Sequence, residues 1–166
     1  NSSFKRNLNI YVVSENRNGF LTTTPTTVKE NLKTWLNHYR MINDTIDILD
    51  GKVVNIGIEF ELISKLESNS TDVLNKAISA LQDYYSNKLL MGTPFYISEI
   101  YQVLNDITEV VDTKNVKIVN KFGAGYSDSS YEIESNISAD GRFIFVPEDT
   151  VLEIRYPNVD IIGVVE

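Results

Sequence analysis

Glu59 and Glu61 come closest in this sequence to a catalytic pair. Two residues apart on an extended segment, they project to the same side, as a general acid–base dyad requires. The same alternation also marks the solvated face of an ordinary sheet, and that is the reading adopted here. The other reactive types are sparse. His38 is the only histidine and there is no cysteine, so a thiolate nucleophile, a disulfide framework and a thiolate metal site are excluded. A zinc or iron site would rest on carboxylates, which suit those metals poorly. Asp47, Asp50, Asp140, Asp149 and Asp160 fall at turns, where a carboxylate accepts from local backbone, and none builds a calcium loop. Gly123-Ala124-Gly125 lacks the third glycine and following helix of a nucleotide fingerprint, and no serine sits in a nucleophile elbow. The chain is therefore expected to be no enzyme, with no catalytic residue, cofactor or metal.

The elements around these residues follow from periodicity. Leu8, Ile10 and Val12 alternate as a strand. A Thr-rich loop leads to a helix, with a capping box predicted between Thr27 and Glu30 and one apolar face of Val28, Leu32, Trp35, Leu36 and Tyr39; Asn43-Asp44 ends it. Ile46 and Ile48, then Asp50-Gly51, then the run Val54, Ile56, Ile58, Phe60, Leu62 predict a hairpin in an antiparallel sheet, with Asn55, Gly57, Glu59 and Glu61 on its wet face. A helix from about Thr71 to Tyr85, a short helix with Ile97, Ile100, Tyr101 and Leu104, and a strand with Val116 and Ile118 complete a β-α-β-β-α-α-β order. That order predicts an α+β fold: a ferredoxin-like βαββαβ body with one extra short helix over residues 1–121. Residues 122–166 read as a small antiparallel β extension, with a hairpin of 142–146 and 151–156 and a last strand near 160–165.

The nine tyrosines exceed what the core faces need. Tyrosine joins a rigid apolar body to a polar tip and is enriched at interfaces. The candidate contact residues are Tyr126, Tyr131, Phe143, Phe145 and Tyr156. Packing of the small β part, or stacking on sugar rings, explains the same residues equally well. The formal net charge of −8, with no basic run, disfavours nucleic acid and anionic membranes as partners. No apolar stretch approaches the ~20 residues of a membrane span. The start, Asn1 to Arg6, has neither an initiator Met nor a signal-peptide core, which suggests a piece of a longer protein; the sequons at Asn1, Asn43 and Asn69 are then accidental.

Several stretches, in order, carry a family resemblance: residues 7–14, 33–40 and 41–55, then Gly92 to Ile97, Tyr126-Ser127-Asp128, Asp140-Gly141-Arg142 and Asp160 to Gly163. Together they resemble the C-terminal region of the baseplate wedge subunit of T-even-type contractile-tailed bacteriophages, relatives of the baseplate J-like proteins. The resemblance spans nearly the whole chain and includes no catalytic signature. It implies a structural subunit of the ring that encircles the tail hub, a homodimer through this C-terminal region, and contacts with other wedge proteins. The implied location is the virion tail baseplate, and the host cytoplasm during assembly. A sugar- or receptor-binding module at a virion surface is the alternative.

Overall fold

A computed structural model describes residues 6–40, 44–86 and 89–166. The sequons at Asn1 and Asn43, and the helix stop expected at Asn43, lie outside those residues. The chain divides into two compact units, Asn1–Val53 and Val54–Glu166. The mixed α+β class is as expected.

In the first unit, strand β1 (Arg6–Val12) is followed by a miniature hairpin of β2 (Ser14–Glu15) and β3 (Leu21–Thr22) within the Thr-rich loop. Asn16 builds its turn, its Oδ1 accepting from the amides of Asn18 and Phe20. Helix α1 (Thr26–Asn37) then returns the chain to β4 (Asp44–Asp50), which lies parallel to β1. Pro25 is the N-cap and no side chain caps α1, so the Thr27–Glu30 capping box is not formed. The helix is also rotated from the expected orientation. Half-buried Leu32 and Leu36 flank Lys29 and Lys33, which reach Asp50 at 2.7 Å and Asp47 at 3.3 Å on β4. Val28, Trp35 and Tyr39 are left exposed. The helix thus turns Lys29 and Lys33 toward β4 and leaves Trp35 and Tyr39, expected inward, at the surface.

The second unit is built on β5 (Lys52–Ser64). Its alternate residues Val54, Ile56, Ile58, Phe60 and Leu62 are all buried. They pack beneath α2 (Ser70–Tyr85), which buries Val73, Ala77 and Leu81, and α3 (Ile97–Asn105), which buries Ile97, Ile100 and Leu104. Each such aliphatic side chain contributes about 1.5–3 kcal/mol when fully buried. Asn69 caps α2, its side chain accepting from the Thr71 amide at 2.9 Å. Before α3 comes the two-residue strand β6 (Phe95–Tyr96). β7 (Val110–Lys121) lies antiparallel to β5.

Beyond β7 the pairing departs from expectation. β8 (Phe143–Ile144) joins β6, and β9 (Thr150–Glu153) joins β5. The 142–156 hairpin is therefore not formed, because the turn closed by the Thr150 amide on the Pro147 carbonyl delivers the two arms to different partners. A single helical turn, α4 (Pro157–Asp160), leads into β10 (Ile161–Val165), which runs parallel to β5. Residues 122–166 thus share the body's sheet and its core, contributing Ile133, Ile144, Leu152 and Ile161.

The Asp50-Gly51 hairpin is absent as well: β4 pairs with β1, whereas β5 pairs with β7, β9 and β10. A ferredoxin-like body would have β4 and β5 as neighbours, and these pairings do not reproduce it. At Gly163 the sheet meets the helix layer closely; a Cβ there would lie 2.3 Å from the Phe60 ring and 2.7 Å from Leu74 Cδ1.

A candidate interface and the polar network beneath it

Along the outer face of β5 the sequence alternates Asn55, Gly57, Glu59, Glu61, and only the second half of that face is wet. Asn55 is 0% exposed. Its Nδ2 donates to Glu153 Oε2 at 2.6 Å, and its Oδ1 accepts from the Ser127 amide at 2.7 Å. The same Glu153 oxygen receives the Arg155 guanidinium, Nε at 3.1 Å and Nη2 at 3.0 Å. Arg155 Nη1 donates in turn to the Gly125 carbonyl at 3.3 Å. Asn120 on β7 reaches the Asn55 carbonyl with its Nδ2 at 3.0 Å and accepts the Tyr131 amide at 3.1 Å.

A second set of bonds completes the network. Asp160, 1% exposed, accepts from Tyr126 Oη at 2.6 Å and from the Tyr156 amide at 2.9 Å. Tyr156 Oη donates to the Gly125 carbonyl at 3.0 Å. A hydrogen bond to a carboxylate favours the neutral phenol, and with burial it pushes the Tyr126 hydroxyl up to about 12. These contacts fasten the loop 123–131 and the segment 153–160 onto β5. A buried carboxylate is costly unless its charge is paired or hydrogen-bonded; Glu153 has the Arg155 guanidinium, and Asp160 accepts two hydrogen bonds.

The five candidate contact residues form two groups. Tyr126 and Tyr156 meet edge to face, centroids 5.4 Å apart, with both hydroxyls bonded inside the network. Tyr131, whose hydroxyl donates to the Phe145 carbonyl at 2.5 Å and is pushed up by burial, joins Phe143 and Phe145. The two phenylalanine rings lie edge to face at 4.8 Å, and Tyr96 of β6 is 5.8 Å from Phe143. Phe145 is 55% exposed and Tyr96 also faces solvent, while Tyr126, Tyr131, Phe143 and Tyr156 are half-buried.

Glu59 and Glu61 do share one face, as alternation requires. Glu59 has Lys117 opposite it on β7 and Ile162 on β10, and Glu61 has Asn115 and Val164. Glu59 is exposed and Glu61 half-buried, on an open sheet face. His38 is the C-cap of α1, in the other unit. Sequence reasoning missed Asn55, Glu153 and Tyr96. The available signal was an amide flanked by apolar residues at the start of a long strand, where a buried polar residue implies a partner elsewhere.

No family model matches the chain, and no curated protein is significantly similar to it.

Proposed function

We propose that this chain is a structural subunit of a phage tail baseplate wedge, and that it associates with a second copy and with other wedge proteins through its C-terminal region. The ordered sequence resemblance motivates this reading. The single observation that carries it is the ring cluster of Phe145, Phe143 and Tyr96 at the paired strands β6 and β8, with Phe145 and Tyr96 exposed and the Phe145 carbonyl held by the Tyr131 hydroxyl. A surface fixed in advance loses little entropy when it docks, and that suits a permanent structural contact. The network offers its polar atoms to one another rather than to a substrate.

The test is sedimentation of the purified chain across a wide dilution series. A dimer that persists to low micromolar concentration, weakened when Phe145 and Tyr96 are both replaced by serine, supports the proposal. A monomer at every concentration argues against self-association through this region and favours a virion-surface binding module.

A further inference from the structure

Each unit carries one uncovered aromatic patch, and the two patches sit in opposite charge surroundings. On the first unit, Val28 and Trp35 of α1 and Tyr39 just past its end fall on one helical face. They are 51%, 57% and 72% exposed, and the Trp35 and Tyr39 rings meet with centroids 4.9 Å apart. On the second unit stands the ring cluster of Phe145, Phe143 and Tyr96. The first unit holds 7 basic and 5 acidic residues, a net +2, and the second holds 8 and 18, a net −10.

The imbalance reaches the patches themselves. Glu30 is the one carboxylate of α1, and at 3.6 residues per turn it points roughly 160° away from Val28. His38 and Arg40 flank Tyr39 at the end of the helix. Carboxylates gather instead around the ring cluster. Glu132 follows Tyr131, whose hydroxyl holds the Phe145 carbonyl, and Glu134 opens the turn whose Asn136 carbonyl accepts the Phe145 amide. Asp140 and Glu148 stand on either side of β8, and all four carboxylates are exposed. Arg142 is the one cation between residues 132 and 148, and it lies 3.8 Å from Asp140.

We infer that the ring cluster of one copy docks on the Val28, Trp35 and Tyr39 face of α1 in another copy. This inference rests on the self-association reading above and names the surface that receives the cluster. Charge chooses the occupant. Two ring clusters face to face would set the carboxylates of one copy against those of the other, and such juxtaposition suppresses a pairing. The α1 face offers the same aromatic and apolar chemistry with His38 and Arg40 at its margin, so an acidic rim meets a basic one. Aromatic anchors inside a polar rim are the usual anatomy of a specific interface. Because the two faces differ, the contact is heterologous, and every copy has one of each to offer.

The test is complementation between two full-length variants, read by sedimentation, with far-ultraviolet circular dichroism as the check on folding. W35S/Y39S keeps the ring cluster and lacks the receiving face, whereas Y96S/F145S keeps the face and lacks the cluster. Each alone should be a monomer at concentrations where the parent associates, and the two mixed should form a one-to-one complex. If W35S/Y39S associates as well as the parent, α1 is not the receiving face: this inference falls, and self-association through the C-terminal region stands. A mixture that stays monomeric overturns the docking as well. A parent that is monomeric throughout overturns both readings. Salt gives a second readout that needs no substitution and decides if a variant misfolds. Raising ionic strength from about 0.1 M to about 1 M shortens the Debye length from about 10 Å to about 3 Å, so the parent assembly should dissociate. An assembly unchanged or strengthened by salt overturns the charge pairing on which the inference stands.

Discussion

Replacing Asn55 with leucine is the most direct probe of the network. The side chain is of similar size and sits at a fully buried position, so the change acts through lost hydrogen bonds. One lost bond runs to a carboxylate and the other comes from a backbone amide. A hydrogen bond to a charged group contributes about 1.5–3 kcal/mol, and an amide left unpaired costs about 1–3 kcal/mol. Arg155 remains on Glu153, so the carboxylate is not wholly abandoned, and the expected loss is about 3–4 kcal/mol. For a chain of this size that lowers Tm by roughly 10 °C, at about 2–4 °C per kcal/mol. Urea unfolding followed by far-ultraviolet circular dichroism measures the loss directly. Asn55→Asp separates the two bonds. It keeps the acceptor for Ser127 and sets a carboxylate against Glu153, so it should be at least as damaging as leucine. A loss below about 1 kcal/mol for N55L would mean that the network contributes less than a typical single hydrogen bond, and would refute the argument. An Asn55→Asp variant as stable as the parent would refute the donor role assigned to Nδ2.

Three further outcomes are expected. Gly163→Ala forces a methyl into the Phe60 ring and should cost about 1–3 kcal/mol by overpacking, read from the urea midpoint. Tyr126→Phe leaves Asp160 with one bond fewer and should cost about 1.5–3 kcal/mol at neutral pH. Because the folded Tyr126 phenol is raised to about 12, its contribution is complete below the ordinary value near 10 and is lost as pH climbs through about 12. The parent should therefore lose stability over that interval more steeply than the phenylalanine variant, as alkaline urea titrations can measure. Tyr85 has a buried hydroxyl with no partner among the described residues, and burial, then Glu99 and Tyr84, push its phenol up. Tyr85→Phe should leave stability unchanged or raise it by about 1 kcal/mol, since the hydroxyl's desolvation is uncompensated.

The elements that sequence reading located best were those whose periodicity and burial agree. Ile56, Ile58, Phe60 and Leu62 lie where alternation puts them, and Ala77, Leu81, Ile100 and Leu104 where helical spacing does. The pairings were less legible, because strand partners are chosen by contacts distant in sequence. Asp50-Gly51 has the composition of a hairpin turn, yet β4 and β5 leave it for different partners. Pro147-Glu148-Asp149 makes a turn without joining its two arms. Along α1, apolar spacing pointed Trp35 and Tyr39 inward, yet both are exposed, and Lys29 and Lys33 face β4 instead. Of the candidate site, the aromatics were visible as a surplus of tyrosine. Asn55 was read as a solvent-facing residue of an amphipathic strand, since its cover arrives from residues 127 and 153.

The position of β10 has a consequence for biosynthesis. Ile161 sits beside Ile58, about a hundred residues earlier in the chain, and belongs to the same core. While the ribosome is still adding residues up to 160, β5 has no neighbour along the stretch that β10 will fill. Its Ile58-to-Leu62 edge stays open, and Phe60 lacks the glycine backbone that packs on its ring. The second unit therefore closes its sheet only after residues 161–165 have emerged, so folding of this unit is a late event in translation, and nascent chains that stall short of it carry an apolar strand with one edge open.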